Sequence, residues 1–350
     1  MNFTRKHLIY FFIFILFILF TIISTEFFLR KIYSNNEVFN CYKKIDDERM
    51  YINNSNCYAD EKYFEKKNET TYLTNNFGNR IIDKNNELID PNKIYTKILF
   101  FGDSFTFGHL SNYQFTYPYN AVNYLNKKQN DNYYIESNFG TNGYQFRQVL
   151  FSILKNEEAV KKSKFVIYGL PPNDLYDLQE KKYGNNLDKN QSLINHLRQK
   201  LNSLNILSIK IITAKILNND SIYLYIHNNR GEFAGYLNKD SSNFWNDKYS
   251  IFENEISKIP DSIKKKLIIS IIPQQPQIML IKYNKIDDGL AFDTRVIEIC
   301  TRQKIKCISN TLELAQVMQF KTHYRLDGHM LEEANKQYGM LLGRDIMKIK

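Results

Sequence analysis

The clearest indication of the fold is the stretch Lys97-Ile-Leu-Phe-Phe-Gly-Asp-Ser104-Phe-Thr-Phe-Gly108. Its first five residues have the composition of a buried strand, and the amphipathic pattern of a helix runs from Phe115 to Lys128. In a parallel α/β sheet, ligands bind at the carboxyl ends of the strands, which is where Ser104 falls. A serine at a helix start also lies beside oriented N–H donors. Ser104 is therefore a candidate nucleophile, and the alternative is a helix-capping serine without chemistry.

Short apolar runs alternate with amphipathic runs along much of the chain. Strands are predicted at 97–101, 133–139, 165–170, 265–272 and 306–309, with helices at 115–128, 144–160, 291–302 and 331–347. This alternation predicts a parallel sheet with helices on both faces, within a domain that spans 97–350. Residues 176–260 are predicted to be an insertion with a helical piece at 193–204 and a β-hairpin over 222–231. Such insertions often form the wall of a substrate cleft.

The first 31 residues contain a segment long enough to cross a bilayer. Leu8 to Thr25 is uncharged, and Phe27 to Leu29 extend it to about 30 Å as a helix. A cleavable signal peptide would have a shorter apolar core and a small-residue cleavage site, which Ser24-Thr-Glu-Phe27 does not offer. We expect an uncleaved single-pass anchor over 1–31 with the bulk of the chain outside, although basic residues on both flanks barely separate the two orientations.

Residues 32–96 are polar and rich in Asn, Lys, Glu and Tyr, without sustained periodicity. This composition predicts a juxtamembrane stalk, or lead-in, that holds the domain away from the membrane.

The four cysteines form two local pairs in the sequence, Cys41 with Cys57 and Cys300 with Cys307. Such pairs are expected as disulfides in an oxidising compartment, and the alternative is four unpaired thiols. Neither pair has the Cys-X-X-Cys spacing of a structural zinc site. No cluster of metal-ligating residues is evident, so we expect neither a metal nor a cofactor.

The formal net charge is +10, but the lysines are scattered among asparagines and aromatic residues. No run of five or more basic residues would provide an electrostatic footprint for nucleic acid. We therefore expect no nucleic-acid partner.

Four short blocks, in order, resemble those of the SGNH (GDSL-like) hydrolases. They are Gly102-Asp-Ser104, Asn138-Phe-Gly-Thr-Asn-Gly143, Pro171-Pro-Asn173-Asp174 and Asp327-Gly-His329. Asn75-Asn-Phe-Gly-Asn-Arg80 and Ile271-Ile-Pro273 resemble further segments of membrane-anchored, polysaccharide-modifying relatives. The resemblance covers about Thr71 to Ile349 apart from the insertion. Each block is modest alone, and their order at predicted strand ends makes the resemblance specific.

The resemblance implies a flavodoxin-like, three-layer α/β/α sandwich and a Ser-His-Asp triad. Ser104 would be the nucleophile, His329 its base and Asp327 the partner of His329. The N–H groups of Ser104 and Gly143 and the side-chain amide of Asn173 would form the oxyanion hole. Many members have Asp-X-X-His, whereas this chain has the shorter Asp-X-His, and the third block has a longer gap before its asparagine.

The remaining histidines and turn carboxylates are expected to have packing, surface or turn-stabilising roles. Those considered are His109, His196, His227, His323, Asp103, Asp174 and Asp177, and His7 lies in the N-terminal segment.

The expected function is hydrolysis or transfer of O-acyl groups on envelope or secreted glycans through an acyl-Ser104 ester, because an imidazole can activate a serine hydroxyl. One alternative is hydrolysis of lipid or thioester acyl groups. Another is a non-catalytic, glycan-binding relative of the fold.

Overall fold

The computed structural model describes residues 5–33, 41–82, 95–128, 133–176, 178, 206–228, 235–238, 243–318 and 321–349. The strands are β1 (Tyr42–Lys44), β2 (Tyr51–Asn53), β3 (Tyr58–Glu61), β4 (Thr70–Thr74), β5 (Arg80–Ile81), β6 (Tyr95–Gly102), β7 (Tyr133–Asn138), β8 (Phe165–Leu170), β9 (Leu267–Ile271) and β10 (Lys306–Ser309). Within these residues, eight strands form one sheet in the order β10-β9-β8-β6-β7-β5-β4-β3, and β1 pairs with β2.

Five strands, β7-β6-β8-β9-β10, form the parallel centre of the sheet. Numbered along the chain, their order is 2-1-3-4-5, which is the flavodoxin-like order. In the register of β6 and β8, Gly102 lies opposite Gly169. The chain therefore leaves both strands at one edge of the sheet, towards Ser104 and Asn173. The structure confirms the predicted α/β fold class.

The helices are α1 (Arg5–Tyr33), α2 (Ser104–Phe107), α3 (Tyr117–Lys128), α4 (Phe146–Lys155), α5 (Glu157–Lys162), α6 (Pro172–Tyr176), α7 (Leu207–Leu217), α8 (Asp220–Asn228), α9 (Asn243–Ser257), α10 (Asp261–Lys264), α11 (Gln275–Lys282), α12 (Ile286–Gly289), α13 (Ala291–Arg302), α14 (Thr311–Val317) and α15 (Glu332–Met347). Side chains alternate between the two faces along a strand. Leu99 and Phe101 of β6 pack into one apolar layer with α4, α9 and α13, and Ile98 and Phe100 pack into the other with α3, α11 and α15.

Residues 41–82 correct the expectation of a stalk over 32–96. Here β3, β4 and β5 pair antiparallel and extend the central sheet beyond β7. Along β4, Thr70, Tyr72 and Thr74 are buried on one face. These strands have two to five residues, which is too short for a periodic signal in the sequence. The sheet therefore begins well before residue 97.

The two cysteine pairs differ. Cys41 and Cys57 form a disulfide within the lead-in. Cys300 and Cys307 are free thiols, and Cys300 is buried. The structure thus agrees with the disulfide alternative for the first pair and with the thiol alternative for the second.

The expected hairpin over 222–231 is wrong where the structure describes the chain, because Asp220–Asn228 forms the helix α8. Its buried Tyr223 packs with Leu217 and Met279, a tertiary contact that overrides the local strand propensity of this apolar run. Helix α9 contributes Trp245 to the apolar layer, so the sandwich resumes earlier than residue 260. The helical piece expected at 193–204 lies outside the described residues.

Helix α1 exposes its apolar side chains. Its portion Ile9–Tyr33 contains an 18-residue window with a mean hydropathy of 2.5 and is long enough to cross a membrane, a property that signal sequences share.

Candidate active site

Ser104 stands at the first position of α2, directly after β6. Asp103 caps this helix, because its Oδ1 accepts a hydrogen bond from the N–H of Phe105 at 2.9 Å. A Cβ at Gly102 would lie 2.0 Å from Thr106 Oγ1, so only glycine permits this sharp exit from the strand. Gly108 ends the helix at φ 81° in the left-handed region. The local sequence thus presents the Ser104 hydroxyl at the edge of the sheet.

His329 reaches this hydroxyl from the loop before α15. Its Nε2 lies 2.6 Å from Ser104 Oγ, and its Nδ1 is hydrogen-bonded to Asp327 Oδ1. Gly328 separates the two residues and has φ 89°, a left-handed conformation that turns the chain between them. The short Asp-X-His spacing therefore brings carboxylate and imidazole into contact. The structure brings together Ser104, His329 and Asp327, the three residues that sequence analysis singles out.

His329 and Asp327 shift each other's pKa values. Burial by itself would lower the pKa of His329, but the charge of Asp327 and their hydrogen bond outweigh it, so the pKa lies above the ordinary 6.5. Burial likewise opposes ionisation of Asp327, and the His329 ring reverses this effect and holds the pKa of that carboxyl well below its usual range. Asp327 is therefore a carboxylate at neutral pH, and its charge raises the pKa of the His329 imidazole above the ordinary value.

Two other histidines lie nearby but are poorly suited to be the base. Burial, together with the neighbouring His329 ring, lowers the pKa of His109 to about 3. Burial also lowers the pKa of His323 to about 3, and its ring nitrogens face Thr322 Oγ1 and the Pro273 carbonyl. A general base works best with a pKa near the operating pH, which favours His329.

Asn173, the expected oxyanion donor, is held by hydrogen bonds on both sides of its amide. Its Nδ2 donates to Asp103 Oδ2 at 3.1 Å, and its Oδ1 accepts from Gln274 Nε2 at 3.1 Å. Tyr236 in turn donates its hydroxyl to Gln274 Oε1 at 2.9 Å. This series of hydrogen bonds fixes which end of the Asn173 amide faces the turn that carries Ser104, called here the nucleophile turn.

Gly143, the other expected donor, lies on a loop attached to the nucleophile turn. Thr141 N–H donates to the Gly102 carbonyl at 3.1 Å, and Asn138 Nδ2 donates to the Thr106 carbonyl at 2.8 Å. Gly143 has φ 78°, and a Cβ there would lie 2.7 Å from the Tyr51 hydroxyl. The lead-in thus contacts the loop that carries the expected donor.

Arg80 of β5 supports the far end of the nucleophile turn. Its Nη1 donates to the carbonyls of Phe107 at 2.6 Å and Gly108 at 2.5 Å, and its Nη2 donates to Ser111 O at 2.6 Å. Burial lowers its pKa to about 10, so the guanidinium stays charged at neutral pH. A cation is favourable at the C-terminal carbonyls of a helix. This contact gives the Asn-X-X-Gly-X-Arg segment a structural role.

Residues that no motif marks hold the His329 loop. Glu65 accepts hydrogen bonds from the N–H groups of Arg325 at 3.0 Å and Leu326 at 3.2 Å. Gln275 Oε1 accepts from the N–H groups of Thr322 and His323, both at 2.9 Å. Gln275 follows the predicted strand end at Pro273, a position that could have signalled its place at this edge of the sheet. Glu65 carries no such signal.

Among the described residues, His109, Asp327 and His329 offer ligand atoms within 4.8 Å of one another, which is a geometry that could hold a metal ion. Both ring nitrogens of His329 already face partners, Asp327 and Ser104. A metal ion would have to displace one of them, so the arrangement suits proton transfer better than metal binding.

Two other residues with expected packing or turn-stabilising roles, Asp174 and His227, have structural partners. Asp174 accepts a hydrogen bond from the Tyr168 hydroxyl at 2.7 Å. His227 is buried, with its Nε2 3.2 Å from the Tyr236 hydroxyl. His196 and Asp177 lie outside the described residues.

The strand order, the order of the blocks and the geometry of Ser104 and His329 together identify the architecture. The chain has a flavodoxin-like, three-layer α/β fold with Ser104, His329 and Asp327 in contact at one edge of its sheet. No protein-family model matches it, and no curated protein does.

Solved structures of SGNH-type proteins match the chain remotely. A lipolytic protein of the G-D-S-L family from Desulfitobacterium hafniense DCB-2 is 13% identical, with 71% of this chain and 98% of that chain covered and a TM-score of 0.35. An acetyl xylan esterase is 11% identical, with coverages of 73% and 100% and a TM-score of 0.39. A lipase/acylhydrolase from Enterococcus faecalis is 13% identical, with coverages of 72% and 96% and a TM-score of 0.38. Likenesses this remote carry no argument about activity.

Proposed function

We propose that this chain is a serine-dependent ester hydrolase or acyl transferase that works through an acyl-Ser104 ester. The observation that carries the proposal is the 2.6 Å separation between His329 Nε2 and Ser104 Oγ, while Asp327 engages the opposite ring nitrogen. These contacts are within hydrogen-bond reach of a nucleophile and its general base. The carboxylate would keep the imidazole in the tautomer whose Nε2 accepts a proton.

In the first half-reaction, Ser104 Oγ attacks the ester carbonyl carbon and its proton passes to His329 Nε2. The C–O bond to the leaving alcohol then breaks, and the alcohol takes that proton from the imidazolium. In the second half-reaction, His329 takes a proton from water or from an acceptor hydroxyl, whose oxygen attacks the acyl-Ser104 carbonyl carbon. The bond between that carbon and Ser104 Oγ then breaks, and the imidazolium returns its proton to Oγ, which releases a carboxylic acid or a new ester and restores the serine.

The negative charge on the carbonyl oxygen would be stabilised by the N–H groups of Ser104 and Gly143 and by Asn173 Nδ2. Support for Asn173 comes from its hydrogen bond to Gln274, which directs Nδ2 towards Asp103 and the nucleophile turn. Loss of one such donor typically lowers kcat about 10²-fold to 10³-fold.

As substrate we propose short O-acyl groups, above all acetyl groups, on envelope or secreted glycans. Polar side chains contact the neighbours of the triad: Asn173 donates to Asp103, Gln274 donates to Asn173, and Asn142 lies 3.3 Å from His109. They suit a sugar ester better than a long apolar chain. We further propose that residues 1–31 anchor the chain as a single-pass helix, that 41–349 contain the catalytic domain, and that this domain lies on the extracytoplasmic side. The disulfide between Cys41 and Cys57 supports that side.

The test is a chain-length profile of 4-nitrophenyl esters with the full-length protein, combined with intact-mass spectrometry during the first turnover. A 42 Da increase on the Ser104 peptide with the acetyl ester, and faster turnover of acetyl than of octanoyl ester, is the expected result. Faster turnover of the long chain would favour the lipid or thioester alternative. No covalent adduct on a verified folded protein would favour the non-catalytic, glycan-binding alternative.

Mass spectrometry of the envelope polysaccharide with and without the protein separates hydrolase from transferase. A gain of acyl groups in its absence indicates a hydrolase, and a loss indicates a transferase.

A further inference from the structure

Two helices of the insertion carry large apolar side chains that face solvent. They are Ile209, Ile212 and Ile216 on α7, and Ile222, Tyr225 and Ile226 on α8, called here the apolar face. On α7 the three residues are separated by three and four positions, and on α8 Tyr225 and Ile226 lie three and four positions after Ile222, so each set shares one side of its helix. Ile212 is 58% exposed and Tyr225 is 71% exposed. Clustered exposed apolar side chains mark an interaction surface.

Helix α7 begins where the uncharged part of α1 ends. Glu26 of α1 accepts hydrogen bonds from the N–H groups of Leu207 at 2.8 Å and Ser208 at 3.0 Å, and from the Ser208 hydroxyl at 3.0 Å. This carboxylate caps the N-terminus of α7, where N–H groups lack helical partners. The contact fixes the start of α7 to one level of α1.

That level corresponds to the boundary of a bilayer. The uncharged run from Leu8 to Thr25 is about 27 Å long as a helix, close to the thickness of the hydrocarbon core. Glu26 follows it directly and forms an ion pair with Arg30 at 2.9 Å. A helix that starts at Glu26 therefore starts at the interface between hydrocarbon and headgroups.

We propose that the apolar face of α7 and α8 lies in the interfacial layer of the phospholipid bilayer that α1 crosses. Interfacial helices combine an apolar side with basic residues that contact headgroups, and α7 carries Lys210 and Lys215 beside its isoleucines. The direct connection to α1 favours the bilayer over a protein partner as the occupant. The proposal rests on the anchoring role that we assign to α1, and it extends that role to a second membrane contact.

The same two helices contact the loop that carries Asp327 and His329. Asp220, at the start of α8, forms an ion pair with Arg325, whose guanidinium lies 5.0 Å from the centre of the Tyr223 ring. Leu326 packs against the cluster of Leu217, Tyr223 and Met279. Arg325 and Leu326 directly precede Asp327. Contact of the apolar face with the bilayer therefore orients the active site close to the membrane surface, where it meets esters carried on membrane-attached glycans or lipids.

The test is photo-crosslinking of the full-length protein in vesicles of phosphatidylcholine and phosphatidylglycerol that contain a diazirine-tagged acyl chain. Lipid adducts mapped by mass spectrometry are expected on α1 and on residues 206–228, with none on the exposed apolar residues Leu154 and Ile297. Adducts confined to α1 would overturn the interfacial placement and leave the anchor intact. Adducts on neither segment would overturn the anchor as well, so the two failures are distinguishable.

A triple variant, Ile209→Ser with Ile212→Ser and Ile216→Ser, sharpens the result. We expect adducts on 206–228 to fall about tenfold while those on α1 remain, since interfacial binding scales with buried apolar area. Ile297→Ser is the matched control and leaves the adducts unchanged. Unchanged adducts in the triple variant, or crosslinks that join the apolar face to a second copy of the chain, would contradict the proposal. Neither readout depends on catalytic activity.

Discussion

The turn that carries Ser104 and the loop that carries His329 meet at one site, but they are held there in different ways. The start of the turn is built by adjacent residues, because Gly102 permits the bend and Asp103 caps the helix. Distant contacts then add to it, because Thr141 N–H donates to the Gly102 carbonyl, Asn173 Nδ2 donates to Asp103, and Arg80 donates to the far end of the turn. The His329 loop depends on Glu65, which lies 260 residues from Arg325 in the sequence, and on hydrogen bonds to Gln275.

This difference explains what a motif can specify. When adjacent residues form a bend and its helix cap, a short sequence motif can identify the turn. When distant side chains hold a loop, a motif identifies only the reacting residues, because the supporting residues are far apart in the sequence. The lead-in over 41–82 therefore contributes, through Glu65, to the position of His329, the proposed base.

The largest effect is expected from Ser104→Ala, on the turn between β6 and α2. Without the hydroxyl no acyl-enzyme forms, and kcat for 4-nitrophenyl acetate should fall about 10⁵-fold to 10⁶-fold. Steady-state hydrolysis measures it. Ser257→Ala is the control, because this exposed serine only bonds the nearby Asn254 carbonyl. A loss below tenfold for Ser104→Ala would remove this serine from the chemistry.

Asp327→Asn, on the loop, should lower kcat about 10³-fold to 10⁴-fold, because the amide favours the wrong tautomer of His329. The variant also changes the pH profile. The base must be neutral, so wild-type activity falls as the pH drops through the raised pKa of His329. Without the Asp327 charge that pKa falls, and the acidic limb should move to lower pH. Asp287→Asn, on the exposed helix α12, is the matched control; an unmoved limb in Asp327→Asn contradicts the assignment.

The Gln274→Glu variant tests whether the hydrogen bond from Gln274 orients the Asn173 amide. A carboxylate cannot donate to Asn173 Oδ1, so Asn173 loses the contact that orients its Nδ2. We expect kcat to fall about 10-fold to 100-fold with little change in KM, less than the full loss of an oxyanion donor. Tyr236→Phe should give a smaller fall of the same kind. Gln114→Glu is an exposed control, and a change confined to KM would assign Gln274 to substrate binding instead.

The smallest effect is expected from Glu65→Ala, which removes the acceptor for two N–H groups of the loop. Kcat should fall a few-fold and the free energy of unfolding by about 1–3 kcal/mol, because buried donors lose their partner. Hydrogen exchange at the amides of Arg325 and Leu326 should accelerate in Glu65→Ala, and Glu65→Gln should restore protection at one of the two amides, because glutamine has one acceptor oxygen where the carboxylate uses both. Exchange that stays slow in Glu65→Ala would show that the loop keeps its structure without the hydrogen bonds to Glu65.

Much of the sheet could be predicted from the sequence, and its additions could not. The strand at 165–170 and the helix at 291–302 are observed at the predicted residues, because long apolar or amphipathic runs carry a periodic signal. The strands β3 to β5 are too short for such a signal. The helix α8 has a strand-like apolar run, and its packing against Met279 decides its conformation.

For the site, four short blocks mark the expected reacting residues, whereas Glu65, Gln274 and Gln275 act through contacts that only the folded chain creates. The close contact across Asp-X-His also depends on the left-handed conformation of Gly328, which the spacing alone does not reveal.

The most direct measurement is the rate and position of fluorophosphonate labelling in the full-length protein and in His329→Gln. We expect a single adduct on Ser104 in the wild-type protein, with labelling slowed by about 10³-fold or more in the variant, because the hydroxyl then lacks its base. An adduct on another residue, or equal labelling rates in the two proteins, would contradict activation of Ser104 by His329.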